Sequence, residues 1–561
     1  MKFTPTSSHR RARFFSGKNS INLLLLLLPA IVFGGLLGYY QSASIGVRLF
    51  VLSLIGIYPT LVFIQVYRAH SIYHRKTLLY GTLSVVWWLI FAVHSTVLSA
   101  SWAVFDSSID AFFIVQAVAN TTRLEAMEFV QFHWHKIAFL IALLCVCLYG
   151  YFWMLLRYFD VDSYVSAKPT WTHKTLFVLF VILCVAAYAT KPNRKNAPMF
   201  FWYNYYAKIV DFQDELKLHQ RWHKRWQQQA ISDIIATDDR HTQTHIIAIT
   251  ESLTSENFGI CGYPRDTTPH ISALQNELMI YCKAYSPYAT TINAVKALLT
   301  DMPAGAPKFV PTQSLLTHAK QAGYQTYWIS NQDDSYLSSL FGSLADVAIY
   351  HNRLSGRSSF SKDEGLLPHL HNALADTHTK KLIILHLIGA HPNYSARYPD
   401  RFERFPDDNK GADQIDAHFD RQNFGSLTRQ ARDEYDNSIL YQDWMFAEIL
   451  KQLKNDTADN QSLTFVSDHG NEVGHVKDYA GHSDHSEAGY KVPLIVWQNS
   501  PNARTGIEQG RLVDTAELNN HMLMRMGILT KSGQPLPWSD HAYQFAPKAK
   551  FPYWQNNKKT E

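Results

Sequence analysis

The sequence predicts an α/β protein in two parts: five membrane-spanning helices, then a domain built on a mainly parallel sheet with helices on both faces. Three observations predict it. Five apolar segments crowd into the chain before residue 192, and no comparable run follows. Beyond residue 241, strand-like and helix-like stretches alternate, the pattern of a parallel sheet wrapped by helices. Two of the strand-like stretches end abruptly in polar residues able to hold a metal, Glu251 after the first and Asp468-His469 after a later one.

The apolar segments are 21–40, 49–67, 78–105, 137–159 and 175–190. Most reach the roughly 20 residues that a bilayer-spanning helix needs, the last being the shortest. A cleaved signal peptide is the competing reading of 21–40, but four further spans follow and the stretch exceeds a signal core. Basic residues set the orientation. Arg10, Arg11, Arg13 and Lys18 precede the first span, Arg68, Arg75 and Lys76 follow the second, and Arg157, Lys168 and Lys174 follow the fourth. These alternate loops are expected on the cytoplasmic side. An odd number of spans then puts the carboxyl-terminal domain outside, which in a bacterium is the periplasm. The net charge of +5 is accounted for by these loops, and no basic-aromatic groove pattern points to a nucleic-acid partner.

Between the third and fourth spans, 106–135 is too polar to cross the bilayer, yet its apolar residues recur at helical spacing. It is expected as an amphipathic helix or helix pair on the outer membrane face. Thr121 and Glu125 sit four apart and share one side of it. An ordinary solvated face explains the pattern as well as a lipid-headgroup role does. After the last span, 200–206 holds six aromatic residues close together, of the kind that settle at headgroup level, and the stretch to Gln229 reads as a bridging helix. The expected organisation is a transmembrane domain over 1–191, an interfacial linker over 192–240 and a soluble domain over 241–561. Of the five cysteines, Cys145, Cys147 and Cys184 fall inside predicted spans. An oxidising compartment lets Cys261 and Cys282 pair, but the spacing builds no CxxC zinc site.

In the soluble domain the expected strands are 245–250, 325–330, 381–388, 463–466 and 492–497. The expected helices start near Thr291 and cover 314–322, 365–374 and 434–453. Thr290 and Thr291 lie where a loop becomes a helix. A hydroxyl there feels the helix's amino-terminal dipole and suits a nucleophile; a plain threonine cap is the simpler alternative. His391 ends another strand-like run after a glycine, and His482 lies a loop's length beyond the Asp468-His469 pair. Single histidines match by chance easily in a chain with 26 of them. Three strand ends feeding one edge are a stronger signal.

Glu251 followed by Asn257-Phe-Gly-Ile-Cys-Gly-Tyr-Pro-Arg-Asp-Thr-Thr-Pro269 resembles the signature of bacterial phosphoethanolamine transferases of the alkaline phosphatase and sulfatase superfamily. So do Trp328-Ile-Ser-Asn-Gln332, Leu385-His-Leu-Ile-Gly-Ala-His391, Tyr394 with Arg397-Tyr-Pro399, Glu434-Tyr-Asp-Asn-Ser438 and Ser467-Asp-His-Gly470. The resemblance covers nearly the whole chain, the five spans included. It implies an alkaline phosphatase/sulfatase-like α/β/α domain in the periplasm, anchored in the inner membrane. It also implies a catalytic zinc held by Glu251, Thr291, Asp468 and His469, with Thr291 as the nucleophile that becomes phosphoethanolamine-modified. His391 and His482 match histidines that contact the transferred phosphate or a second zinc, and Asn331 matches a donor-binding asparagine. Thr121 and Glu125 match surface-helix positions linked to the lipid donor. The expected donor is phosphatidylethanolamine, and the expected acceptor lipopolysaccharide or another periplasmic glycan. Ser286, Pro287 and Tyr288 stand where the lipid A branch usually has cysteines, which favours the disulfide-poor branch acting on core sugars or other glycans.

Physical logic runs alongside. Moving a phosphoryl-linked group from a lipid to a hydroxyl needs a nucleophile, a Lewis acid and a base. Zinc suits the donor set, and oxygen-rich ligation also accommodates calcium or manganese. A phosphoglycerol transferase or phosphodiester hydrolase of the same superfamily is the alternative function. A sulfatase is disfavoured, because no Cys/Ser-x-Pro-x-Arg sequence follows the first strand. A catalytically dead membrane sensor is disfavoured by the presence of every expected ligand type.

Overall fold

The computed structural model describes residues 74–105, 123–159, 198–238, 241–302, 313–332, 340–353, 361–405, 414–501, 503–510 and 512–531, with a few isolated positions besides. The expected span 49–67, most of 21–40 and of 175–190, and Thr121 lie outside them. The chain divides into two compact units, Met1–Asp110 with His133–Lys208, and Ala111–Phe132 with Ile209–Glu561.

In the first unit, the expected third span falls on a helix over His74–Phe105. The expected fourth span continues upstream: one helix runs from Arg123 to Phe159 and absorbs the end of the expected surface segment. Nothing interrupts it, because 123–137 contains neither glycine nor proline. Glu125 lies in its first turn. Among the described residues, His133–Gly150 is long and apolar enough to cross a membrane, and Leu89–Phe105 is a shorter apolar stretch. The two helices are tied where Lys136 Nζ donates to Ala103 O at 2.9 Å. The aromatic run near residue 200 sits on a helix over Pro198–Asp233 and splits into two faces. Phe201 and Tyr205 are buried, stacked on each other and edge-on to Trp202, with His94 edge-on to Phe201 and Trp202, whereas Phe200, Tyr203 and Tyr206 are exposed.

The second unit is organised by a nine-stranded sheet. In chain order the strands of this unit are β1 (Ile234–Ala236), β2 (Gln243–Thr250), β3 (Leu278–Tyr285), β4 (Gln325–Ser330), β5 (Val347–Tyr350), β6 (Lys380–His386), β7 (Asn460–Ser467), β8 (Glu472–Val473), β9 (Ala480–Gly481), β10 (Lys491–Gln498), β11 (Gly506–Glu508), β12 (Val513–Asp514) and β13 (Leu529–Thr530). The large sheet runs β11-β3-β10-β7-β2-β6-β4-β5, with β12 also on β3. Only β10 is antiparallel to its neighbours, so β3, β7, β2, β6 and β4 all present their carboxyl ends on one edge. The smaller pairs are β1 with β13 and β8 with β9.

Side-chain alternation along the strands feeds two cores. Ile247 and Ile249 of β2 face a layer containing helices Thr291–Leu299, Leu315–Gln321 and Leu518–Arg525. Ile246 and Ala248 face the opposite layer, which holds helices Leu367–Leu374 and Ser426–Lys454. Every residue of β2 is buried, the mark of a central parallel strand. Each of its isoleucines contributes about 1.5–3 kcal/mol by leaving water.

Most expected elements appear, and the exceptions have causes. The long helix begins at Ser426, eight residues before the expected start at Glu434. Its first turns bury Arg429, Arg432 and Asp433, charged residues that hide the apolar period. Arg429 is satisfied by Asp416 at 2.7 Å and by Asp420 at 2.5 Å, both on a helix over Gln414–Gln422. Strand β3 was not expected; it carries Lys283 at its one half-buried position, and the rest of it is buried. The helix 314–322 appears as Leu315–Gln321, with Ser314 closing a capping box and Gly323 at φ +83° ending it.

Cys261 and Cys282 form a disulfide that fastens a single 3-10 turn, Gly259–Cys261, to β3. The sequence separation of 21 residues makes the bridge worth about 3 kcal/mol in restricted unfolded-chain freedom. Replacing both cysteines by alanine is expected to lower the denaturant unfolding free energy by about that amount. The parent protein unfolded in reductant should reproduce the variant's midpoint.

Candidate metal centre

Strands β2 and β7 are paired in parallel register through Thr250 and Ser467. The residues that follow, Glu251 and Asp468, therefore leave neighbouring strands side by side, and Asp468 N donates to Thr250 O at 3.0 Å. His469 comes next. Glu251, Asp468 and His469 are all buried. From the layer beyond β3, helix Thr291–Leu299 brings its first residue in. Thr291 Oγ1 lies 3.1 and 3.2 Å from the two Glu251 oxygens and 3.3 Å from His469 Nε2. Thr290 is the helix N-cap, but its side chain makes no capping bond. The cap reading and the hydroxyl at the site thus belong to adjacent residues, and it is Thr291 that faces the carboxylate.

His482 completes the group. Ligand atoms of Glu251, His469 and His482 all lie within 4.8 Å of one another. The His482 ring stands 4.7 Å from His469 and 6.1 Å from His391. His469 Nδ1 meets Gly470 O at 2.9 Å, and a carbonyl only accepts, so Nδ1 carries a proton; Nε2 faces Glu251 at 3.1 Å, donating to it while the imidazole is charged and able to ligate a metal that displaces that proton. This orientation suits a metal-ligating imidazole.

Charge at the site is unbalanced. Burial works against ionised Glu251, but the hydrogen bond and charge of His469, with His391 and His482 behind them, hold its carboxyl well below the usual range. Burial and then the neighbouring Glu251 charge push Asp468 upward. Burial opposes a charged His469, yet Asp468 and Glu251 raise it to about 9. His482 goes the other way, lowered by burial and by His469, and stays neutral. Protons shared by Asp468 and His469 offset a charge that a divalent cation would offset better. Two buried atoms, Asp468 Oδ2 and His482 Nδ1, have no hydrogen-bond partner. Two carboxylates, two imidazoles and a hydroxyl converging with such atoms unsatisfied fit a metal ion.

The other expected residues are distributed around this centre. His391 follows β6 on a turn held to β2 by Leu387 N to Ile249 O and Ala390 N to Glu251 O, both 2.9 Å. Gly389 in that turn has φ +57°, and a Cβ there would stand 2.4 Å from Glu251 O, so no other residue fits. Asn331 follows β4 and is turned away toward Asp363 and Ser361, with Oδ1 lacking a partner. Glu125 lies on the helix Arg123–Phe159.

Sequence reasoning missed three contributors. Gln332, one residue past Asn331, donates from Nε2 to Glu251 Oε2 at 3.2 Å and to Leu387 O at 2.8 Å. It ends a strand like the other site residues, a signal that could have found it. Asp363 accepts from Ile388 N, Gly389 N, Asn331 and Gln442, and so grips the His391 turn from below. Ser252, at φ 64°, donates its N–H to Asp468 Oδ1 at 3.0 Å and its hydroxyl to Glu251 Oε1 at 2.9 Å. Neither residue carries a local sequence signal.

Comparison with known proteins agrees with the geometry. Phosphoethanolamine transferase EptC of Escherichia coli K12 is 30% identical over 267 residues, 46% of this chain and 45% of that protein. The chain's match thus spans about half the length of that relative. The putative transferase YhbX of the same strain is 27% identical over 402 residues, covering 67% of this chain and 68% of its own. In fold, the chain is similar to the integral membrane protein lipooligosaccharide phosphoethanolamine transferase A (EptA) from Neisseria meningitidis. The TM-score is 0.52 at 17% identity, over 88% of this chain and 96% of that one. The family model described as Sulfatase matches residues 243–528. Because that stretch opens on the first residue of β2 and takes in the whole nine-stranded sheet with its carboxyl-edge residues, the chain belongs to the sulfatase family.

Proposed function

We propose that the protein transfers phosphoethanolamine from phosphatidylethanolamine to a hydroxyl of lipopolysaccharide, on a core sugar or on lipid A, through a covalent intermediate on Thr291. The observation that carries this reading is the Thr291 hydroxyl, set at the start of a helix and donated to Glu251 beside His469. The relative from Escherichia coli, itself named a phosphoethanolamine transferase, supports the group transferred. The membrane helices support a lipid donor. The reading puts the protein in a bacterial inner membrane, with the domain over 241–561 in the periplasm and 192–240 at the interface.

The chain's own residues supply the steps. Thr291 gives its proton to Glu251, and its oxygen attacks the donor phosphorus. The bond to the diacylglycerol oxygen breaks, and that oxygen takes up a proton. Then the acceptor hydroxyl attacks the same phosphorus and gives its proton to a base at the site, the bond to Thr291 Oγ1 breaks, and Oγ1 takes up a proton to restore the hydroxyl. The helix amino terminus favours the negative charge that gathers near Thr291 in both halves. Glu251, Thr291, Asp468 and His469 would hold zinc, with His482 and His391 toward a second metal or the transferred phosphate. When bound, zinc supplies Lewis-acid relief of charge on the phosphoryl oxygens. Asn331 Oδ1, an acceptor without a partner, suits the donor's ammonium group. Thr121 and Glu125 are assigned to the lipid headgroup.

Incubation of the full-length protein with phosphatidylethanolamine is expected to leave a phosphoethanolamine adduct on the peptide carrying Thr291, read by mass spectrometry. Thr291→Ala should reduce transfer to background, and an adduct on Thr290 would overturn the assignment. Asp468→Asn or His469→Ala should lower bound zinc and transfer together; full transfer by a metal-stripped parent would exclude the mechanism. Glu125→Ala should weaken transfer from the lipid while sparing cleavage of a soluble phosphodiester. Equal loss of both activities would assign Glu125 to the fold instead.

A further inference from the structure

Ser252 immediately follows a proposed metal ligand, and its backbone lies at φ 64°. The other two non-glycine residues with positive φ, among those described, are Asn393 and Asn423. Asparagine adopts that region readily; serine does not, so something must hold Ser252 there. The conformation has a use, since it turns the Ser252 N–H onto Asp468 and the Ser252 hydroxyl onto Glu251. One residue thus orients both carboxylates of the centre.

The hold comes from the long helix Ser426–Lys454. Tyr435, fully buried, donates its hydroxyl to Ser252 O at 2.7 Å and accepts Thr254 N at 2.8 Å. A single oxygen therefore bridges the two ends of the turn, and Leu253 N between them is taken by Ser467 Oγ at 2.8 Å. The Tyr435 ring is itself fixed edge-on against Tyr394, with centroids 5.1 Å apart. Its neighbour Asp436 binds Asn257 Nδ2 and the Tyr263 hydroxyl, each at 2.6 Å, so the helix grips the segment after the turn as well.

We infer that Tyr435 is a positioning residue for the metal centre: its hydroxyl keeps Ser252 in the left-handed turn that presents Glu251 and Asp468 together. Tyr435 touches none of the ligand atoms and acts through Ser252. The inference rests on the metal reading given above.

The test measures zinc affinity of the full-length protein by competition with a chromophoric chelator, and thermal midpoints without metal, for the parent, Tyr435→Phe and Tyr324→Phe. Tyr324 is the control. Its buried hydroxyl lies 2.6 Å from Gln243 Oε1 and 2.9 Å from Met526 O, one of which takes its hydrogen, and Gln243 starts β2, at the end opposite Glu251. Both variants should lower the metal-free midpoint to a similar degree. Only Tyr435→Phe should weaken zinc, by about 10–100-fold. Adding Ser252→Gly to Tyr435→Phe, which accepts the left-handed backbone freely, should recover part of that loss. Unchanged zinc affinity in Tyr435→Phe, or equal weakening in both variants, overturns the inference while leaving the metal centre standing. A parent that binds no zinc overturns both.

Discussion

Two buried carboxylates held side by side are the constraint on which the rest of the second unit depends. Parallel pairing of β2 with β7 delivers Glu251 and Asp468 from adjacent strand ends, where like charges repel and water cannot screen them. The surroundings answer that repulsion residue by residue. Ser252 and His469 backbone N–H groups point at Asp468, Gln332 and Thr291 point at Glu251, and the His469 side chain stands between the two. Such an arrangement is costly for stability alone and makes sense as a seat for a cation.

The frame of this site was legible in the sequence because strand ends are legible. An apolar run closing on Glu251, or on Asp468-His469, announces both the strand and the chemistry at its tip. Thr291 and His482 were legible as types near the right elements, although the residues alone left Thr290 and Thr291 tied. The family resemblance favoured Thr291, and the direction of its side chain toward Glu251 is a thing that no pattern of hydrophobicity records. Asp363, Ser252 and Tyr435 were illegible for a different reason. Their roles rest on backbone groups of residues distant in sequence, and a carboxylate accepting amide hydrogens looks in sequence like any other aspartate. The early turns of helix Ser426–Lys454 hid similarly, since buried arginines paired with aspartates imitate a solvated surface.

The helix Ser426–Lys454 joins the two kinds of order. Its apolar face, with Ile439, Phe446 and Ile449, packs on the sheet as ordinary core. Its first half instead carries Arg432, Asp433, Tyr435, Asp436 and Asn437, all buried and all engaged with loops that border the site. One element is thus a structural prop along one half and a scaffold for polar loops along the other. That division ties the turns at the sheet's carboxyl edge to a long packed helix.

The pairing of β2 with β7 also sets the order of assembly. Ser252 and Asp468 are 216 residues apart in the chain. Contacts of that span close late, because the loop entropy must be overcome before any of them is rewarded. A chain made amino end first contains Glu251 well before Asp468 and His469 have been synthesised. The two carboxylates therefore meet only when nearly the whole unit has been made and folded, so the site cannot form from an amino-terminal fragment of the domain.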